Sequence, residues 1–260
     1  MGERTRYAPG TFSWADLSTP DPPAAKTFYC QLFGWEATDN PIGDGTVYTM
    51  MSIDGKDVVA VSPQPKRQRE AGAPPAWSSY ITVQSADDAL ARAEQLGASV
   101  HAPAFDVFDA GRMGVVQDPQ GAFFPVWEPK GHIGAGLVNA PGALSWNDLA
   151  SPDPDASARF YGELFAWTVE PVDGSEPPYW TIKTADGRLG GGMREVMPPG
   201  SPAYWVVYFA VEDADAALAR VLELDGAHVW GPDEAGPGRV VVVRDPQGAV
   251  LALYAGPLDP

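Results

Sequence analysis

Cysteine, histidine and basic side chains are all scarce in this 260-residue chain. A single cysteine, Cys30, excludes an intrachain disulfide framework, and its place in a helical pattern reads as a packed thiol rather than a nucleophile. Only His101, His132 and His228 supply imidazole, the commonest metal donor. Lys and Arg number 17 against 34 Asp and Glu, a formal charge of −17 that phosphate backbones repel, so no nucleic-acid partner is expected. No apolar run approaches the ~20 residues of a membrane-spanning helix, and MGERTRYAPG lacks an apolar signal region. These absences predict a cytoplasmic protein with no membrane partner. The chain also has no phosphate-cradling glycine loop, no G-x-S-x-G, no HExxH and no Cys-x-x-Cys. One basic cluster, Lys66, Arg67 and Arg69 in SPQPKRQREAGAPP, reads as a solvated loop or as a rim that meets an anionic ligand.

What the chain has is a repeat. FSWADLSTPDPPAAKTFYCQLFGW (Phe12 to Trp35) and LSWNDLASPDPDASARFYGELFAW (Leu144 to Trp167) agree at 13 of 24 positions without a gap. Such internal periods define the architecture before any local reading does. In each copy an alternating strand runs into Asp-Pro, where the Asp can cap free N–H groups and proline suits the first helical turn. Ala25, Phe28, Tyr29, Leu32 and Phe33 then recur at helical spacing, with Gly34 as a stop. VYTMMSI and VVAVSP follow as strands around the turn Asp54-Gly55. A second module begins at WSSYITV, continues with the helix SADDALARAEQLG and three strands, and turns at Asp118-Pro119-Gln120-Gly121. The later half repeats both modules and closes with Asp245-Pro246-Gln247-Gly248.

The Phe-Tyr helix ending in Leu-Phe-Gly-Trp (Leu-Phe-Ala-Trp in the second half), with Asp-Pro-Gln-Gly on a terminal hairpin in each half, resembles the vicinal oxygen chelate superfamily. That group includes glyoxalase I, bleomycin-resistance proteins and extradiol dioxygenases, and the likeness is strongest to a tandem actinobacterial "glyoxalase-like" branch. The resemblance implies an α+β fold of four βαβββ modules in two tandem glyoxalase-like domains, with mixed curved sheets cupped around clefts and helices outside. The expected division is domain 1 at residues 1–129, a glycine-rich linker at 130–143, and domain 2 at 144–260. Which modules pair to form a cleft stays open.

Metal enzymes of this superfamily carry His, Gln or Glu at set places in the cleft. Here those places hold Trp14 and Trp146 on the opening strands, Pro125 and Ala252 on the closing strands, Ser78 and Val206 in the second modules, and about Val59 and Gly191 in the earlier hairpins. None is a useful transition-metal donor, so neither metal nor other cofactor is expected. Strand alternation puts Asp16 and Asp148 on the same face as the two tryptophans. Tyr80 and Tyr208 follow Ser78 and Val206 in the same way, and Phe123 and Trp127 flank Pro125 as Val250 and Tyr254 flank Ala252. Core packing is the competing reading for these rings, and for Trp35, Trp167, Trp77 and Trp205 it is the reading adopted.

The expected ligand-binding set is therefore Trp14, Ser78, Tyr80, Phe123, Trp127, Trp146, Tyr208 and Tyr254, with Asp16 and Asp148 as candidate general bases. The expected function is metal-free binding of an aromatic or polycyclic small molecule, for sequestration, resistance or biosynthesis. Two alternatives stand beside it: a cofactor-independent isomerase, cyclase or lyase using Asp16 or Asp148, and a metal-dependent glyoxalase or dioxygenase, which the missing ligands disfavour. Four modules in one chain can complete the arrangement as a monomer, and a homodimer stays open.

Overall fold

The computed structural model describes residues 2–43 and 45–258. A two-residue strand, β1 (Gly2–Glu3), precedes the first module, β2 (Phe12–Thr19), α1 (Pro22–Phe33), β3 (Glu36–Gly43), β4 (Thr46–Ile53) and β5 (Lys56–Pro63). One turn of helix, α2 (Lys66–Glu70), leads to the second module, β6 (Ala76–Thr82), α3 (Ala86–Gln95), β7 (Ser99–Val107), β8 (Gly111–Gln117) and β9 (Phe123–Pro129). After β10 (Leu137–Val138) come β11 (Leu144–Ser151), α4 (Pro154–Phe165), β12 (Thr168–Pro171), β13 (Tyr179–Lys183) and β14 (Leu189–Glu195). The last module is β15 (Tyr204–Ala210), α5 (Ala214–Glu223), β16 (Ala227–Ala235), β17 (Gly238–Arg244) and β18 (Val250–Ala255). No described helix is long and apolar enough to cross a membrane.

The helix starts follow the capping chemistry in the sequence. Asp21 Oδ1 accepts from the Ala24 amide at 3.1 Å and Asp153 Oδ1 from the Ala156 amide at 2.9 Å, each with proline in the first turn. Gly34 ends α1 in the left-handed region at φ 72°, where a side chain is disfavoured.

The strands form two eight-stranded mixed sheets, ordered β3-β4-β5-β2-β6-β9-β8-β7 and β12-β13-β14-β11-β15-β18-β17-β16. The pairing that the sequence leaves open is thereby answered. The first module joins the second through antiparallel β2 and β6, and the third joins the fourth through β11 and β15. Two parallel pairs flank the centre of each sheet, β2 with β5 and β6 with β9 in the first. Each opening strand carries an irregularity just before its tryptophan, between Phe12 and Trp14 and between Leu144 and Trp146. Such bulges bend a strand and re-aim its side chains.

The halves interlock through their signature residues. Tyr29, on α1 of the first half, donates from its hydroxyl to Asp245 Oδ2 of the second half's turn at 3.0 Å, and Trp77 Nε1 donates to Tyr29 at 3.1 Å. The reciprocal bonds run from Tyr161 to Asp118 Oδ2 at 2.8 Å and from Trp205 Nε1 to Tyr161 at 3.1 Å. Aromatic packing crosses the same seam, with Phe33 against Phe209 and Phe12 between Trp167 and Trp205. Trp35, Trp77, Trp167 and Trp205 are all buried there, as core.

Two segments differ from the sequence expectation. The basic stretch, expected as a loop, contains α2, exposed on every side and too short to bury a face. The linker is an integral part of the packing. Its β10 pairs with β1, the Ala135 amide donates to Ser13 O at 2.7 Å, and the Gly136 amide donates to Asp57 O at 2.7 Å. A Cβ on Gly134 would collide with the Ser13 carbonyl, so glycine permits this close approach. The apolar pattern of 130–143 is too short to show a period, which is why the packing was not legible there.

Candidate functional site

Each sheet curves around a cluster of one tryptophan, one aspartate and two tyrosines. In the first cup Trp14 Nε1 donates to the Tyr48 hydroxyl at 3.0 Å, and Tyr48 donates weakly to Asp16 Oδ2 at 3.4 Å. The Tyr80 hydroxyl donates to the same oxygen at 2.8 Å. Register explains the convergence: Asp16 lies between Ala60 of β5 and Ser78 of β6, with Tyr80 two residues along. Burial pushes the Asp16 carboxyl up to about 6, against the opposing bonds from Tyr80 and Tyr48.

The second cup repeats the set with tighter geometry. Trp146 Nε1 donates to Asp148 Oδ1 at 2.9 Å and lies 3.0 Å from the Tyr179 oxygen. Tyr179 donates to Asp148 Oδ1 at 2.6 Å and Tyr208 to Oδ2 at 2.5 Å. Asp148 thus accepts three side-chain bonds, where Asp16 accepts one good one. The cause lies one strand away. Gly192 occupies the register position beside Asp148 that Ala60 occupies beside Asp16. A Cβ at Gly192 would collide with the Tyr179 hydroxyl and crowd Asp148 Oδ1. Gly192→Ala is therefore expected to cost about 1–3 kcal/mol in urea unfolding, and less in a Tyr179→Ala background, where the colliding ring is gone. An equal cost in both backgrounds would refute this cause.

The cups also differ in closure. In the first, Trp14 and Trp127 are each 5% exposed and Tyr80 is 7% exposed. The linker lies over them: His132 stands edge-on to Trp14 with ring centroids 4.7 Å apart, and its carbonyl accepts from Trp127 Nε1 at 2.9 Å. Burial holds the His132 imidazole below the ordinary histidine range, with Asp57 opposing. In the second cup Trp146, Tyr179, Tyr208 and Tyr254 are half-buried. Tyr208 and Tyr254 pack on a separate apolar floor of Val206, Val240 and Ala252.

The structure brings Trp14, Asp16, Tyr80 and Trp127 together in one cup and Trp146, Asp148, Tyr208 and Tyr254 in the other. Ser78 lies beside Asp16 across the central pair of strands. Phe123 stands apart, 49% exposed and packed on His101 with centroids 4.7 Å apart. Tyr48 and Tyr179, absent from the sequence-derived set, are integral to both clusters. Their signal was the repeat itself, since each lies about a repeat length from the other in an otherwise dissimilar strand. The hairpin residues beside the aspartates are Ala60 and Gly192, one place on from the expected Val59 and Gly191.

This donor set does not fit a divalent transition metal. The positions that face Asp16 and Asp148 carry indole, phenol, proline, serine or aliphatic groups, and each aspartate is engaged by phenols. Among the described residues no three His, Cys, Asp or Glu side chains converge to hold an ion. Arg112 and Arg239 lie outside the cups, Arg112 paired with Asp87 at 2.7 Å and Arg239 with Asp215 at 3.2 Å.

Comparison with known proteins agrees with this architecture. Residues 11–125 match the family model described as Glyoxalase/Bleomycin resistance protein/Dioxygenase superfamily, and residues 147–254 match a Glyoxalase-like domain. CFP32 of Mycobacterium tuberculosis, provisionally named a glyoxylase, is 41% identical over 256 residues, covering 97% of each chain. The anthracycline biosynthesis protein DnrV of Streptomyces peucetius is 34% identical over 265 residues, covering 96% of this chain and 94% of its own. Among solved structures, the 2,3-dioxygenase LapB from Pseudomonas sp. KL28 superposes with a TM-score of 0.64 at 14% identity, over 97% of this chain and 95% of that one. The Mn(II)-bound glyoxalase from Novosphingobium aromaticivorans gives 0.64 at 17%, over 98% and 83%. At such identities these two likenesses speak for the fold alone.

Proposed function

The chain belongs to the glyoxalase/bleomycin resistance protein/dioxygenase superfamily, and we propose that within it this protein binds a planar aromatic or polycyclic small molecule without a metal, in the second cup. The wall of that cup carries the reading: a half-buried indole and the phenols of Tyr179, Tyr208 and Tyr254 over an apolar floor. Aromatic walls combine large apolar area with preferred ring-on-ring geometries, and the few polar groups fix orientation. The network around Asp148 holds Trp146 and two tyrosines in place in advance, which lowers the entropy lost on binding. The first cup, covered by its own linker, serves as core. The names of the Streptomyces relatives support the ligand class, because anthracyclines are fused-ring aromatics. Four modules in one chain complete both cups, so a monomer suffices.

Titration with anthraquinone-2-sulfonate, followed by quenching of tryptophan fluorescence, tests the proposal. Trp146→Ala is expected to weaken binding about tenfold or more, Trp146→Phe much less, and Trp14→Ala less than twofold. The absence of saturable quenching, or quenching indifferent to Trp146→Ala, would remove the second cup from consideration.

One observation favours a second reading, proton transfer without a cofactor. The Asp16 carboxyl, pushed up to about 6, lies near the range where a general base works best. The linker over that cup counts against substrate access. Turnover of a candidate substrate that survives Asp16→Asn would end this alternative. A metal-dependent glyoxalase finds no donor set among the described residues.

A further inference from the structure

The two cups are copies, so positions where they disagree mark what one has acquired or lost. At the rim of the second cup, Arg194 of β14 and Tyr204 of β15 flank Ala150 of β11. At the equivalent register positions of the first cup, Ser62 and Ala76 flank Ser18. The cation and its neighbouring ring thus belong to the second cup alone.

Arg194 lies on the cup face. It is two residues along β14 from Gly192, which borders Asp148, and it pairs across the ladder with Tyr179. Its guanidinium carbon stands 5.9 Å from the Tyr204 ring centroid, within cation–π range. Among the described residues no carboxylate comes within 4.0 Å of its nitrogens, whereas Arg92, Arg112, Arg220 and Arg239 each have such a partner. Asp148 is engaged by Trp146, Tyr179 and Tyr208 and is not drawn into an ion pair with it. A half-buried guanidinium that meets the Tyr204 hydroxyl and has no carboxylate partner keeps the rest of its planar donor fork available for an anion. In a chain of net charge −17 the general field works against anionic ligands, so any such ligand needs a local cation.

We propose that the second cup selects planar aromatic acids, with Arg194 bonding an ionised carboxylate or acidic phenol oxygen of the ligand while the rings lie against Trp146 and the tyrosines. This deepens, and rests on, the reading of the second cup as the ligand site. Arg194 is a specificity-determining residue, and its loss should alter preference rather than abolish binding of aromatic surface.

Calorimetric titration with naphthalene-2-carboxylate and with naphthalene-2-carboxamide, its neutral analogue, provides the test. In the unaltered protein the carboxylate is expected to bind about tenfold more tightly than the amide. Arg194→Gln should remove that preference while changing amide affinity less than twofold, and Arg194→Lys should restore part of it. If both probes bind and Arg194→Gln leaves their affinity ratio unchanged, the role given to Arg194 is wrong while the cup remains the ligand site. If neither probe binds, or both bind and Trp146→Ala affects neither, the reading of the cup fails and the role of Arg194 with it.

Discussion

Asp16→Asn raises the free energy of unfolding at pH 8, and Asp148→Asn, the same change at the equivalent place in the second half, lowers it. Asp16 is buried, and burial lifts its carboxyl from an ordinary 3.8 to about 6. The folded state therefore binds the Asp16 proton more tightly than the unfolded chain does. That contribution to stability is fully present below pH 3.8 and is lost as pH rises through about 6. At about 1.4 kcal/mol for each tenfold difference in proton affinity, the loss reaches on the order of 3 kcal/mol. An asparagine keeps an oxygen for the Tyr80 hydroxyl and carries no charge, so Asp16→Asn should recover about 1–3 kcal/mol at pH 8 and nearly nothing at pH 4.

Asp148 differs because its oxygens accept from an indole and two phenols. An amide presents one acceptor oxygen where a carboxylate presents two, so Asp148→Asn makes one of the phenols accept from the amide NH2 and give up the bond it donated to the carboxylate, at a cost of about 1–3 kcal/mol. Urea unfolding at several pH values, each variant compared with the unaltered protein at the same pH, reads both effects. Changes of the same sign at pH 8, or an Asp16→Asn effect independent of pH, would show that the two networks do not differ in the way described.

Asp118→Ala should destabilise the whole chain by about 3 kcal/mol or more, and Tyr161→Phe by about 1–2 kcal/mol. The Asp118 carboxylate accepts from the Gln120 and Ala122 amides, both at 2.9 Å, and from Tyr161 of the other half. Removing it leaves three donors unpaired at once, two of them in the backbone of a tight turn. Tyr161→Phe removes a single bond to Asp118 and leaves Trp205 Nε1 without its acceptor. The effects share partners, so the double variant should cost less than the sum of the two. Asp245 and Tyr29 should behave alike across the symmetric seam. Because each lock joins the two halves, unfolding should remain one cooperative transition with coincident fluorescence and circular-dichroism curves. A variant that unfolds in two separated steps, one per half, would contradict the interlocked arrangement.

Much of this organisation could be read from residues. The duplicated Trp-x-Asp on the opening strands placed Trp14 with Asp16 and Trp146 with Asp148 on common faces, because strand periodicity is strict. The Asp-Pro helix starts and the Asp-Pro-Gln-Gly turns marked module boundaries for equally local reasons. Tyr48 and Tyr179 were missed because β4 and β13 share little sequence, and a hydroxyl's partner lies two strands away. The cross-half bonds from Tyr29 and Tyr161 were illegible for a related cause: a sequence shows that a helix and a turn recur, but not whose turn each helix meets. The seat of His132 depends on a glycine-rich segment whose path is fixed by contacts with both halves, not by any pattern of its own.

The covered first cup bears on how the duplication has been used. Once one copy of a fold is held shut by its own connecting segment, its former cavity residues answer to packing alone. The other copy is then released from structural duty and can vary its lining. Diversity among homologues should accordingly concentrate at positions such as Tyr179, Arg194, Tyr204 and Tyr254, while Trp14, Tyr80 and Trp127 drift no faster than interior residues do. On the proposed reading of the second cup, the duplication supplies a scaffold and a variable receptor in one polypeptide, and one ligand per chain is the expected stoichiometry.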